Sequence, residues 1–277
     1  MPGRRPAAPN PAGAHFLRDA ALIARLARAS GAGDGHLVLD LGAGHGAITT
    51  ALASSGARVI AIEHDPRCAA RLRRRVAGQP RVTVVEADLR EVPLPRRDFL
   101  VVASVPFSIT TALMRRLAGD PSVPLAGAEL ITAWGVARWL TAPVPRDAET
   151  AWWTSRYQMR IAGRVPAASF APRPRVSAAH LSIRPRPLVA SAEGQRLLRR
   201  LLRAAYRWPE APVHHTVRDV VREPAARRRP LGARGRPPSA GGRIRGVLPR
   251  VGVSPDACAA RLTADQWHRL AMLLAGG

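Results

Sequence analysis

Leu37-Val38-Leu39-Asp40-Leu41-Gly42-Ala43-Gly44-His45-Gly46-Ala47-Ile48-Thr49 decides the fold. His36 to Leu41, apolar except for His36 and Asp40, reads as a buried strand. Three alternate glycines follow, a turn whose backbone lies open to a ligand, and Ala47 begins a helix. Upstream, Arg18 to Arg28 sets Leu22, Ile23 and Leu26 on one face, an amphipathic helix stopped by Gly31 and Gly33. Downstream, short apolar runs recur at Arg58 to Glu63, Arg81 to Glu86, Phe99 to Ala103 and Ala128 to Ala133. Helix-like stretches at Gly46 to Ser54, Pro66 to Val76 and Ile109 to Leu117 separate them. Strand and helix in alternation, with strands apolar throughout, predict a doubly wound α/β domain around a parallel sheet.

The pattern then changes. Tyr157 to Val165 and Ser177 to Arg184 read as two more strands, a hairpin closing one sheet edge. Beyond Pro185 the chain turns helical and basic: residues 196–250 hold fifteen arginines against Glu210, Asp219 and Glu223. The expected organisation is a flexible basic tail over 1–14, a catalytic domain over 15–184 and a helical, RNA-binding domain over 185–277. Residues 223–242, rich in Pro, Gly and Arg, read as a mobile loop, and Leu262 to Leu274 as a docked terminal helix.

Charge narrows the partner. Lys plus Arg is 43 and Asp plus Glu 19, a formal net charge of +24 over 277 residues, and every one of the cations is Arg. That balance points to a polyanion, and Arg suits phosphate because its guanidinium offers two parallel donors. GC-rich coding explains the same bias and the single Asn10, and the two accounts are compatible. Hydrophobic residues make up 47% of the chain, which excludes a wholly disordered basic protein. Cys68 and Cys258 form neither a disulfide framework nor a metal-ligand spacing, so no metal is expected. With no secretory leader and no long apolar run, a monomer in the cytoplasm without membrane contact is the expectation.

The glycine spacing selects the ligand. Dinucleotide sites favour G-x-G-x-x-G, whereas glycines at 42, 44 and 46 give the G-x-G-x-G spacing common in S-adenosylmethionine enzymes. Glu63 ends the second strand, where an acidic side chain can accept both hydroxyls of a ribose. Asp88 follows the third, placed to accept from an adenine amino group while Leu89 packs on the ring.

The fourth strand runs into Ala103-Ser104-Val105-Pro106-Phe107, which is similar to the Asn-Ile-Pro-Tyr or Asn-Leu-Pro-Phe signature of the rRNA adenine N6-methyltransferases. That family includes the erythromycin-resistance (Erm) enzymes and the small-subunit dimethyladenosine transferases. His15-Phe16-Leu17 resembles its segment ahead of the first helix, and Phe170-x-Pro172-x-Pro174-x-Val176 its run before the last strand. Leu262-Thr263-Ala264-Asp265-Gln266-Trp267 resembles an Erm-type ending. The resemblance implies a Rossmann-like, seven-stranded class I methyltransferase sheet with a small helical C-terminal domain. It also implies S-adenosyl-L-methionine as donor and an adenine of 23S ribosomal RNA as target, with resistance to macrolides, lincosamides and streptogramin B.

Site residues follow from these matches. Donor contacts fall to His15, Leu17, Gly42, Ala43, Gly44, Gly46, Glu63, His64, Asp88, Leu89 and Ser104. The target amine falls to Ser104, Val105, Pro106 and Phe107. Two departures stand out: Ser104 replaces the family's Asn, and Thr132 to Arg138 keeps only the closing arginine of the family's segment. Three alternatives stay open: a 16S rRNA adenine dimethyltransferase, an inactive RNA-binding protein on the same fold, and a nicotinamide-dependent oxidoreductase.

Overall fold

The computed structural model describes residues 15–186, 192–227 and 246–275. The predicted tail over 1–14 lies outside them. In chain order the elements are α1 (Ala20–Ser30), β1 (Leu37–Leu41), α2 (Ala47–Ala53), β2 (Arg58–Glu63), α3 (Pro66–Arg75), β3 (Val82–Glu86), β4 (Phe99–Ser104), α4 (Thr110–Ala118) and β5 (Leu125–Ala133). They continue with α5 (Trp134–Leu140), α6 (Ala148–Arg156), β6 (Tyr157–Val165), β7 (Ala178–Pro185), α7 (Ala192–Arg207), α8 (Val213–Arg227) and α9 (Ala264–Ala275).

Local chemistry sets the boundaries. Asp19 caps α1 by accepting from the Leu22 N–H at 3.0 Å, and Gly31 ends it in the left-handed region at φ +68°. Asp65 accepts from Arg67 and Cys68 N–H at the head of α3, where Pro66 loses no hydrogen bond.

Seven strands form one sheet in the order β3-β2-β1-β4-β5-β7-β6. The five strands from β3 to β5 are parallel neighbours. Every residue of β1 is buried, and all of β4 but Ser104, because helices cover both faces of a parallel sheet. The predicted hairpin is ordered differently from a simple edge: β7, the later strand, lies between β5 and β6. The burial patterns explain why. Ala178 to Ile183 are continuously buried and suit an interior position, whereas β6 alternates and suits the edge.

The chain divides into two compact units. One holds the described residues up to Leu117, Val123–Ala137 and Ile161–Ser182; the other holds Ala118–Ser122, Arg138–Arg160 and the described residues from Ile183. The units interleave in sequence rather than meeting at residue 185. The grouping of α6 with the C-terminal helices follows from its composition, since Thr150 to Ser155 are all buried and need cover from α7 and α9. Within that unit His268 Nδ1 lies 2.9 Å from the Ser155 carbonyl, and Trp153 and Trp267 are fully enclosed. The predicted loop over 223–242 is corrected at its start, because α8 runs through Arg227; its remainder lies outside the described residues. No described helix is long and apolar enough to cross a membrane.

Candidate active site

The glycine turn after β1 is tied to β2 by the Ile62 carbonyl, which accepts from both Gly42 N–H (2.9 Å) and Ala43 N–H (3.0 Å). Gly42, Gly44 and Gly46 all adopt left-handed backbone, at φ +76°, +55° and +82°. A Cβ on Gly42 would stand 3.7 Å from Pro106 and 3.8 Å from Leu89, so three strand ends converge on this turn. A Cβ on Gly44 would meet the Phe16 ring at 2.9 Å.

Two adjoining cavities open here, both within the first unit. The one of about 450 Å³ is lined by Gly42, Gly44, Glu63, His64, Asp88 and Leu89 together with Ser104, Val105, Pro106 and Phe107. A more open one of about 660 Å³ shares His15, Phe16, Gly42, Gly44 and Ser104 and adds Leu17, Asp40 and Ala43. Gly46 lines neither. Its Cβ position falls 2.3 Å from Leu72, so this glycine lets the turn pack onto α3 rather than onto a ligand.

Two segments more than 150 positions apart build one wall. Phe16 and Leu17 pair antiparallel with Ala171 and Phe170, Arg18 N–H donates to the Ser169 carbonyl at 2.8 Å, and His15 Nδ1 lies 2.9 Å from the Pro172 carbonyl. The Phe107 ring meets Phe170 edge-on at 6.5 Å between centroids, and Phe16 stacks on His45 at 4.3 Å. The HFL and F-x-P-x-P segments are therefore one structural device.

Both acidic candidates are already engaged. Glu63 accepts from Gly44 N–H at 2.6 Å and Asp65 N–H at 2.8 Å, which orients the carboxylate at the mouth of the turn. Each oxygen keeps a second lone pair for a ribose hydroxyl. Asp88 is held by Arg90 through its side chain and backbone N–H, which brings the carboxyl down to about 2. Arg116 on α4 donates to the Leu89 and Val92 carbonyls, the latter at 2.5 Å, and so fixes the loop that carries Asp88. Burial raises the Cys68 thiol to about 11, helped by nearby Glu63, so it is no nucleophile at neutral pH.

Sequence reasoning missed Asp40, the single carboxylate in an apolar strand. It is fully buried, accepts from Thr49 Oγ1 at 2.6 Å, and desolvation raises its pKa to about 7. Because this pKa lies above the unfolded value of 3.8, the folded state holds a proton that the unfolded chain releases. The resulting stabilisation is complete below about pH 4 and is lost as pH rises through about 7. Asp40→Asn removes that dependence. Its melting temperature relative to wild type is expected to rise between pH 5 and pH 8; a difference that is flat or falls would refute the assignment.

Sequence reasoning also missed Phe16, Arg90, Arg116 and Phe170 as site residues. Phe16 and Phe170 belong to the two motifs, but the pairing of those motifs is invisible before folding. Among the described residues no group of three His, Cys, Asp or Glu side chains could hold a metal.

The cavity fits S-adenosyl-L-methionine: Gly42 and Gly44 line it without side chains, and the apolar Leu89 lines it with the Glu63 and Asp88 carboxylates. Comparison with known proteins agrees. The chain is 39% identical over 171 residues to mycinamicin-resistance protein MyrB of Micromonospora griseorubida, a match covering 62% of this chain and 54% of that one. It is 27% identical over 275 residues to ribosomal RNA small subunit methyltransferase A of a Synechococcus strain, covering 95% and 91%. The crystal structure of 23S rRNA methyltransferase ErmE superposes with a TM-score of 0.74 at 25% identity, covering 94% of this chain and 99% of that one. The match spans about three fifths of the length of two Bacillus rRNA adenine N-6-methyltransferases, 61% in each case. The fold is that of the class I S-adenosyl-L-methionine-dependent methyltransferases. The ribosomal RNA adenine dimethylase family model matches residues 10–208, and the chain belongs to that family.

Proposed function

We propose that the protein transfers methyl from S-adenosyl-L-methionine to N6 of an adenine in 23S ribosomal RNA, in the manner of the Erm enzymes. Resistance to macrolides, lincosamides and streptogramin B would follow. The observation that supports the reading is that the Ser104 to Phe107 turn and the glycine turn line one cavity. Two further points favour the Erm branch: the MyrB likeness and the Leu262 to Trp267 ending. The protein acts as a cytoplasmic monomer in this reading.

When bound, the donor supplies an electrophilic methyl on a sulfonium. The chain's own residues then prepare the acceptor. An exocyclic adenine amine is a poor nucleophile because its lone pair is delocalised into the ring. Ser104 Oγ and the Val105 carbonyl accept its two hydrogens, which favours a pyramidal nitrogen with its lone pair turned toward the donor. Ser104 holds this position by pairing with Ile131, and Val105 N–H donates to the Ile131 carbonyl at 3.1 Å. Phe107 stacks on the base once it is extruded from its helix. As the N–C bond forms and the C–S bond breaks, the acidic ammonium product loses its proton to solvent. Catalysis is mainly positioning, worth up to about 7–11 kcal/mol when two reactants are well oriented.

The deciding assay incubates the protein and labelled donor with separate 23S and 16S transcripts. Label in 23S alone supports the reading. A 16S target is the second reading, favoured by the likeness to small subunit methyltransferase A over 95% of the chain, and label in 16S alone would establish it.

Ser104 bears on product number. Its hydroxyl is shorter than the amide of Asn, so it holds a bulkier monomethylated amine less firmly. Ser104→Asn is expected to raise the dimethyl-to-monomethyl ratio severalfold, read by mass spectrometry of digested RNA. An unchanged ratio would mean that reach at this position does not limit the second transfer.

A further inference from the structure

The second unit carries one large aromatic side chain that its packing does not use. Trp208 is 66% exposed, and the other five tryptophans are buried or partly buried. It sits where α7 gives way to the turn before α8, anchored by its own backbone: its N–H donates to the Ala204 carbonyl and its carbonyl accepts from Ala211 N–H.

Its surroundings say what would cover it. Trp208 edges a shallow groove of about 370 Å³ between α7 and α8, with Arg200, Arg203, Arg207 and His215 along it and Asp219 as the single acid. Asp219 is paired with Arg218 at 3.2 Å. Arg200 donates to the Val220 carbonyl at 2.7 Å and fastens the two helices together. The Arg207 guanidinium lies 5.9 Å from the Trp208 ring, and Arg203 is exposed with no ion pair among the described residues. Arg203 and Arg207 are four apart, one helical turn, so both cations follow the same edge of α7. A flat ring flanked by the exposed Arg203 and Arg207 suits a chain of phosphates bearing a free base. It does not suit an apolar partner, which would leave the arginines desolvated and unpaired.

We infer that the α7/α8 groove is a second RNA-binding site, in which Trp208 stacks on an unpaired base while Arg203 and Arg207 hold the adjoining phosphates. This rests on the proposed rRNA substrate and adds a subsite that takes single-stranded rather than duplex RNA. Its role is affinity: the site holds a flanking unpaired nucleotide and touches no reacting atom.

The test titrates the protein with a single-stranded 12-nucleotide RNA and, separately, with a fully paired hairpin stem. The expected result is quenching of tryptophan emission by the single strand alone; Trp208→Ala loses the quench and weakens binding, whereas Trp208→Phe loses the quench and keeps the binding. On rRNA, Trp208→Ala should raise KM about tenfold, the scale of one lost base stack, with kcat and donor affinity unchanged. Arg203→Gln with Arg207→Gln should flatten the salt dependence of binding by about 1.4 in log–log slope, two single-strand phosphate contacts. Equal quenching by the stem, or an unchanged KM in Trp208→Ala, overturns the inference. Loss of all methyl transfer by the wild-type protein would instead overturn the proposed activity and leave the quenching result to stand alone.

Discussion

Phe107→Ala is expected to lower kcat/KM for rRNA by about 100-fold or more while the affinity for S-adenosylhomocysteine stays within about twofold of wild type. Two losses combine. A base–aromatic stack is worth roughly 1–3 kcal/mol, and a misplacement of about 1 Å at a reacting centre alone costs about two orders of magnitude. The ring is partly exposed on the cavity side, and its edge rests on Phe170. It also packs against the apolar core with Leu17 and Ile131, so removing it leaves a hole as well as an unheld base. Phe107→Leu separates the two effects, because it fills the hole without offering a flat face. Leucine at 107 should melt near wild type and still transfer poorly, and Phe107→Tyr should recover most of the rate. Equal loss of donor binding and transfer in Phe107→Leu would make the aromatic a packing residue.

What could be read from the sequence divides along a physical line. Strands β1 to β4 lie within one residue of their predicted bounds, because strands buried on both faces must be apolar and their turns must carry glycine or proline. The glycine turn was legible for the same reason: left-handed backbone at 42, 44 and 46 admits little else. β5 begins three residues before the predicted Ala128, since Pro124 and Gly127 interrupt the apolar run although Leu125 already pairs with Phe99. Helices α5 and α6 were not predicted at all. Their seven and nine residues are too short for a clear periodicity, and α6 is buried almost all round, which erases its amphipathic stripe.

Within the site, strand-end residues were legible and long-range partners were not. Arg90 on Asp88, Arg116 on the Leu89 carbonyl and Phe170 beside Phe107 depend on contacts that no local spacing encodes. The Trp152-Trp153 pair shows the limit from the other side. Two adjacent tryptophans suit core packing, and the structure buries both. What the sequence could not convey is the arrangement around Trp152. Its indole N–H donates to the Gly119 carbonyl at 2.9 Å, and Arg156 and Arg199 lie 4.9 Å and 4.6 Å from its ring centre. Those guanidinium groups also donate to the Ala118 and Gly119 carbonyls, so part of the arginine excess closes a helix C-terminus instead of facing RNA.

Gly44→Val should abolish donor binding measurable by calorimetry, a loss of at least about 100-fold, and should lower the melting temperature by several degrees. Gly44 stands at φ +55°, where a branched L-residue is strained by about 1–2 kcal/mol before any contact is counted. The first carbon added would lie 2.9 Å from Phe16 Cδ1, closer than two carbons can approach. Phe16 has little room to retreat, because it stacks on His45 and its backbone pairs with Ala171. The turn therefore moves instead. Its displacement breaks the Gly44 N–H bond to Glu63 and tilts the carboxylate that faces the cavity. Gly44→Ala meets the same ring with one carbon and should fall between wild type and valine. If Phe16 is the obstacle, Gly44→Ala combined with Phe16→Leu should bind donor better than Gly44→Ala alone. If backbone strain dominates, the second change should bring no recovery, and the order of the three affinities distinguishes the causes.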